Sequence, residues 1–151
     1  MKQVFEMVPP SGPAFTALVV GLLILQGGLL ALFVYIAHSA RNVRFEVSAD
    51  GLRIRGGLYG RTIPLRDLVI DEATVVDLRS DTQRRLGWRT NGIGLPGYQA
   101  GWFRLKNGSK GLAFVTDQTQ VVYLPTRQKY ALLLSVASPG HFLAALRATA
   151  R

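Results

Sequence analysis

One uninterrupted apolar run constrains this chain more than any other feature. Residues 14–37 read AFTALVVGLLILQGGLLALFVYIA and contain no charged side chain. At about 1.5 Å per residue, an α-helix of this length extends about 36 Å, which exceeds the ~30 Å hydrocarbon core of a bilayer. Pro13 suits the first position of such a helix. We therefore predict a short N-terminal tail over residues 1–13 and a transmembrane helix over residues 14–37.

Two other interpretations fit this run less well. A secretory signal peptide has a basic start and an apolar stretch of about 7–15 residues, whereas Lys2 is offset by Glu6 and the run is longer. A buried core helix would need an apolar partner of similar size, and the rest of the chain offers none.

The basic residues flanking the span predict its orientation. Lys2 alone precedes it, whereas Arg41, Arg44, Arg53 and Arg55 follow it. Because cytoplasmic flanks are enriched in Lys and Arg, we expect a single-pass protein of the cytoplasmic membrane, with the N-terminus outside and the C-terminal domain in the cytoplasm.

Small residues within the span have two interpretations. Ala17, Gly21 and Gly28 lie at spacings of four and seven, so they could form a stripe along which a second helix packs closely. Alternatively, glycine is simply tolerated in a span, and this is the interpretation we favour.

The remainder, residues 41–151, is predicted to be a small β domain. Its 17 basic and 8 acidic residues account for the whole net charge of +9. Asp50-Gly51 joins two alternating apolar runs and is a strong hairpin signal. We expect a turn or short helical piece over residues 64–68 and a long irregular loop over residues 79–97. Further strands are expected over residues 58–63, 69–78, 102–106, 111–116, 120–125 and 130–136.

A terminal helix is predicted to begin at Ser138-Pro139, a capping residue followed by proline at the first helical position. One face of it carries Phe142, Ala145, Leu146 and Thr149, and this face is expected to lie against the sheet.

Antiparallel strands followed by one amphipathic helix form the element order of a pleckstrin-homology (PH) barrel. Residues 43–145 resemble a bacterial PH-domain family of small, often membrane-anchored proteins. The resemblance is carried by FEVSADGLRIRGGLYGRTIPL, RTNGIGLPGYQAGWFRLKNG and YLPTRQKYALLLSVASPGHFLAAL. It implies a mainly β, PH-like barrel of about seven antiparallel strands closed by the C-terminal α-helix, and a non-catalytic role. Together with the predicted span, it leads us to expect a protein of the bacterial inner membrane.

Catalytic chemistry finds little support in the residues. The chain has no Cys, which excludes disulfides, thiolate-bound metals and thiol catalysis, and only two His. Gly92, Gly94 and Gly97 match a dinucleotide fingerprint, but a strand rather than a helix follows them, so we interpret them as turn glycines. Asp71, Glu72 and Asp77 are expected to pair with arginines across a sheet. We predict no catalytic, metal or cofactor site.

Two basic surfaces remain as candidate sites. Each Lys or Arg near an anionic leaflet contributes about 1 kcal/mol to membrane binding, and one group of arginines is close to the span in sequence. That candidate lipid surface comprises Arg41, Arg44, Arg53, Arg55 and Arg61. Enforcement of topology and solubility explains the same residues equally well.

The second surface is a candidate partner-binding site within residues 79–97. It comprises Arg84, Arg85, Trp88 and Arg89, a combination of aromatic and basic side chains suited to an anionic partner. A membrane tether and the lack of an RNA-binding motif argue against nucleic acid. We therefore expect an interaction module that binds a protein partner or itself, with anionic lipid headgroups as the alternative ligand.

Overall fold

A computed structural model describes residues 12–150, and the chain divides into two units after Arg41. The first unit contains helix α1, Pro13–Arg41, whose apolar side chains are exposed. Its segment Pro13–His38 has a mean hydropathy of 2.5, so it is long and apolar enough to cross a membrane. Lys2 and the predicted tail up to residue 11 lie outside the described residues.

The second unit begins with a three-stranded antiparallel sheet. It contains β1, Arg44–Ser48, β2, Gly51–Arg55, and β3, Arg61–Ile63, with β2 in the centre. The predicted Asp50-Gly51 hairpin is confirmed by the pairing of β1 with β2. Gly51 has a φ of +145°, and a Cβ there would lie 2.2 Å from the Ile63 carbonyl oxygen. The close approach of β3 to this turn therefore requires glycine.

A six-stranded sheet forms most of the unit. Its strands are β4, Thr74–Val76; β5, Leu86–Leu95; β6, Tyr98–Leu105; β7, Lys110–Val115; β8, Val121–Pro125; and β9, Tyr130–Ser135. The order across the sheet is β4-β8-β9-β7-β6-β5. Strands β7 and β9 run parallel, and every other neighbouring pair is antiparallel. The predicted hairpins across Asn107-Gly108 and residues 127–129 are confirmed.

The predicted single barrel of about seven antiparallel strands is therefore wrong in detail. The described residues form nine strands in two separate sheets that do not close. The strand predicted over residues 69–78 is instead a 3-10 turn, Ile70–Glu72, followed by β4, because the acidic pair Asp71-Glu72 suits a turn better than a strand. The short helical piece predicted over residues 64–68 is confirmed as the 3-10 turn Leu65–Asp67.

The irregular loop predicted over residues 79–97 is wrong for most of its length, and only residues 79–85 and the turn residues 96–97 lie outside a strand. Strand β5 occupies residues 86–95 and pairs with β6 across a turn at Pro96-Gly97. Its glycines, which we interpreted as loop residues, permit close contact between backbones. A Cβ at Gly92 would lie 2.5 Å from the Ala100 carbonyl oxygen, so this part of β5 accommodates only glycine.

The main core lies between the two sheets and is covered by α2, Pro139–Thr149. Leu143 and Leu146 of α2 are buried and Phe142 is half-buried, whereas Ala145 is exposed, so the buried face is rotated from the predicted one. The helix does begin with Pro139 at its first position. The Ser138 side chain makes no capping hydrogen bond with the described residues.

A second apolar cluster lies on the other face of the six-stranded sheet. Leu133 of β9 belongs to this cluster, whereas its neighbours Leu132 and Leu134 belong to the main core. The central strands are consequently buried on both faces, which accounts for their continuous apolar sequence. Leu78 and Leu86, on either side of the connection to β5, pack into this second cluster.

Candidate functional site

Trp88 and Arg89 lie on β5, at one edge of the six-stranded sheet, and we call them the β5 edge surface. The Trp88 side chain is 80% exposed. It lies at an irregularity in the pairing of β5 with β6, between Leu86 and Arg89. Arg89 is exposed, and its guanidinium crosses Gly94, where a Cβ would lie 3.0 Å from Nη1. The surface therefore combines an exposed indole ring with a cation.

The two other predicted partner-binding residues are held within the domain. Arg84 donates from Nη1 to Asp81 Oδ2 at 2.9 Å, and its guanidinium lies 4.8 Å from the centre of the Tyr123 ring. Arg85 donates from Nε to the Leu78 carbonyl at 3.0 Å and also donates to the Arg79 carbonyl. Both arginines stabilise the connection between β4 and β5. Of the four predicted partner-binding residues, Trp88 and Arg89 therefore remain as the candidate binding surface.

Asp81 organises the same connection. Its Oδ1 accepts hydrogen bonds from the backbone N–H of Arg84 at 2.9 Å and of Gln83 at 3.0 Å. The Arg84 N–H is the largest influence lowering the pKa of this carboxyl, and the Arg84 guanidinium and Gln83 N–H lower it further. The ionised carboxylate is thus part of the native turn.

The predicted lipid surface is also divided by the fold. Arg44, Arg53 and Arg55 share the exposed face of the three-stranded sheet, and we call them the basic sheet face. Arg55 forms an ion pair with Glu46 at 3.2 Å. Arg61 lies elsewhere, against the Trp102 ring. The Arg41 side chain is outside the described part of the structure.

The ion pairs expected between the Asp71, Glu72 and Asp77 group and Arg53 or Arg55 are not formed. Among residues 12–150, the ion pairs are Arg55–Glu46 and Arg84–Asp81. The reason is that Asp71 and Glu72 lie in a 3-10 turn rather than on a strand facing the arginines.

Trp102 lies between two cations in an arrangement that sequence reasoning missed. The Arg61 guanidinium is 4.9 Å and Lys110 Nζ is 4.2 Å from its ring centre. The Tyr130 ring packs edge-on against it, with centroids 5.1 Å apart. The four residues lie on four different strands, β3, β6, β7 and β9, so no local sequence pattern predicts their contact. Arg61 and Lys110 are exposed, but each contacts the Trp102 ring, so the cluster joins neighbouring strands at the surface.

A cavity of about 360 Å³ lies between the 3-10 turns, the β8–β9 turn and the C-terminal end of α2. Arg66, Arg127 and Arg147 line it together with Asp71. Sequence reasoning missed this site because its three arginines come from three distant segments. We call it the cationic cavity.

The remaining candidate motifs occupy structural positions. Gly92 and Gly94 lie within β5 and Gly97 is in the following turn, so the glycine motif builds a hairpin. No group of three or more His, Asp or Glu residues that could hold a metal ion occurs within residues 12–150. Gly21 and Gly28 of α1 have open space around them, and the helix-packing stripe that they form with Ala17 stays a prediction.

Comparison with known proteins agrees with the architecture of the β domain. Residues 43–150 match the family described as bacterial PH domain. No curated protein and no solved structure matches the chain significantly.

Proposed function

The chain belongs to the bacterial PH domain family, and we propose that it is a non-catalytic interaction module anchored in the bacterial inner membrane by α1. Its β domain would bind a protein partner at the cytoplasmic face through the β5 edge surface. PH-like domains are generally interaction modules, which supports a binding role. The arginines that follow the apolar helix support the cytoplasmic placement.

The exposure of Trp88 on an edge strand carries the proposal. An edge strand has unpaired backbone N–H and C=O groups along one side, which can pair with an extended segment of another protein. β5 is ten residues long and pairs only with β6 among the described strands. Tryptophan and arginine are also enriched among the residues that dominate binding energy at interfaces. Strand addition anchored by the indole ring is therefore the binding mode we expect.

Charge favours an acidic partner over a second copy of the chain. Residues 42–151 carry 16 basic and 8 acidic residues, a net charge of +8, so two copies repel each other at long range. Arg89, the residue after Trp88 on β5, contributes one of these positive charges, and its guanidinium lies by Gly94. We accordingly expect an extended acidic segment on the partner, aligned along β5.

Site-specific photo-crosslinking of the full chain in native membranes tests this proposal. A photoreactive phenylalanine at position 88 is compared with the same group at Val75, which is 39% exposed on β4, the opposite edge of the sheet. We expect a discrete adduct from position 88, which Arg89→Glu abolishes, and none from position 75. Adducts at both positions or at neither contradict the proposal, and an adduct of twice the chain mass identifies self-association.

A second candidate function is peripheral binding of anionic lipid, supported by the basic sheet face. Arg44 and Arg53 are exposed there, and neither belongs to the ion pairs within residues 12–150. Ser48 shares the exposed face on β1, and the absence of native Cys permits a clean Ser48→Cys spin label. In full-chain proteoliposomes, this label should become inaccessible to a water-soluble relaxant only when anionic lipid is present. A label at Val75 is the control, and equal accessibility with and without anionic lipid contradicts this candidate.

A further inference from the structure

The cationic cavity is built from three segments that hydrogen bonds and core packing hold together. Arg66 belongs to the 3-10 turn Leu65–Asp67 and Arg127 to the β8–β9 turn. The Arg127 backbone N–H donates to the Asp67 carbonyl at 2.8 Å, and Gln128 Nε2 donates to Asp67 Oδ2 at 2.7 Å. These bonds hold the two turns together, so the backbones of Arg66 and Arg127 keep a fixed relative position.

The third wall is the last turn of α2. Leu146 is fully buried and packs the helix against the core. Arg147 donates a hydrogen bond from Nη2 to the Ala73 carbonyl at 3.4 Å. This bond ties the helix to the end of the turn Ile70–Glu72. The cavity is consequently a property of the folded domain rather than of one mobile loop.

Charge in the cavity is unbalanced. Three arginines and one acidic residue, Asp71, are among its lining residues. None of these four side chains takes part in the ion pairs found among residues 12–150. Asp67, whose carboxylate accepts a hydrogen bond from Gln128, is not among the lining residues. An anion entering the cavity therefore meets a lining with an excess of arginines, three against one acidic residue.

We propose that this cavity binds a phosphate-bearing anion. Planar guanidinium groups form bidentate hydrogen bonds with phosphate oxygens, and three arginines line this one space. Its volume of about 360 Å³ falls at the lower end of small-molecule sites, which occupy roughly 300–1,000 Å³, so it accommodates a phosphorylated molecule rather than a bare ion. Leu65 and Val69 supply apolar lining for the rest of that molecule. The site is separate from the β5 edge surface and does not depend on the function proposed for it.

Calorimetric titration of the full chain, in nanodiscs of zwitterionic phosphatidylcholine, tests the proposal with two soluble probes. Pyrophosphate represents a free phosphorylated molecule, and glycerophosphoglycerol represents the phosphodiester headgroup of an anionic lipid. We expect one probe to bind more tightly, which identifies the source. Its affinity should fall about tenfold or more in Arg127→Gln, because each charge-assisted hydrogen bond contributes at least about that factor.

Arg53→Gln is the matched control, since it removes the same charge from the exposed face of β2. This substitution should change the affinity by less than about twofold, because exposed distant charges are screened. Arg66→Gln gives an independent second measurement, because the Arg66 side chain makes no hydrogen bond within residues 12–150 that the fold would lose. The proposal is overturned if neither probe binds at millimolar concentration. It is equally overturned if Arg53→Gln weakens binding as much as Arg66→Gln and Arg127→Gln do.

Discussion

The guanidinium of Arg84 lies 4.8 Å above the ring of Tyr123 and at the same time pairs with Asp81. Tyr123 belongs to β8 and packs against the second apolar cluster. Arg84 therefore links the connection between β4 and β5 to that face of the six-stranded sheet. Arg84, which the sequence suggests as a partner contact, therefore has a structural role. Its substitution should lower stability more than substitution of Trp88 does.

Arg84→Ala should destabilise the β domain by about 1 kcal/mol. This figure combines a partly exposed cation–π contact of about 0.5–1 kcal/mol with a partly exposed ion pair of about 0.2–1 kcal/mol. Thermal unfolding of the full chain in nanodiscs measures the effect. Trp88→Ala and Arg53→Ala, both at exposed positions, should stay within about 0.5 kcal/mol of the unsubstituted chain. A larger loss for Trp88→Ala than for Arg84→Ala would reverse the assignment of these roles.

Arg61→Ala should lower stability only when Trp102 is present. The cation contributes about 0.5–1 kcal/mol through its contact with the indole ring, and little else holds it. In a double-mutant cycle, the same substitution should be close to neutral in the Trp102→Leu background.

Lys110→Ala provides the parallel cycle, because Lys110 Nζ approaches the same ring at 4.2 Å. Additive effects in both cycles would mean that neither cation is coupled to Trp102, and Arg61 would again be available as part of a lipid surface.

Local signals in the sequence predicted the hairpins at Asp50-Gly51, Asn107-Gly108 and residues 127–129 and both helices, and nonlocal pairing determined the rest. Asp50-Gly51 and Asn107-Gly108 specify their turns through the backbone conformations that those residues favour. The RTNGIG segment of β5 has weak strand propensity, and it becomes a strand because β6 pairs with it along its length. A single sequence does not reveal that pairing, so β5 appeared to be a loop.

The candidate sites follow the same division. Trp88 and Arg89 are neighbours in sequence, so their composition alone marked them as a candidate surface. Arg66, Arg127 and Arg147 are 61 and 20 positions apart, and only the folded turns bring them to one cavity. Arg44 and Arg61 are closer in sequence, but the register of β2 with β1 and β3 places them in different surroundings.

The stability contribution of Asp81 should depend on pH in the acidic range. Its pKa is lowered in the folded chain, chiefly by the Arg84 backbone N–H, so the ionised form is favoured by folding. The contribution is therefore complete above the ordinary value of 3.8 and is lost as the pH falls through the folded pKa. Asp81→Asn should accordingly be less stable than the unsubstituted chain at pH 7, and the difference should shrink near pH 3. Thermal unfolding at both values measures it, and a constant difference would show that the carboxylate charge is not responsible.

Two glycines at the β5–β6 hairpin should respond very differently to substitution by alanine. Gly97 has a φ of +76° with open space around it, whereas Gly101 has a φ of +115° and its added Cβ would lie 2.6 Å from both the Asn91 carbonyl oxygen and Gly92 Cα. Gly97→Ala carries only the left-handed backbone strain, about 1–2 kcal/mol. Gly101→Ala adds a backbone clash that flexible side chains cannot relieve, so we expect a loss of more than about 2 kcal/mol.

Hydrogen exchange of the full chain locates the damage from these substitutions. In Gly101→Ala, amides of β5 should exchange faster because the strand is forced away from β6, while those of β7 and β9 stay protected. Gly97→Ala should leave protection along β5 largely intact and affect the turn alone. If both variants exchange alike, the close approach of Gly92 to Gly101 does not hold β5 in place. The same β5 detachment should abolish crosslinking from position 88, since the partner strand needs a fixed edge to pair with.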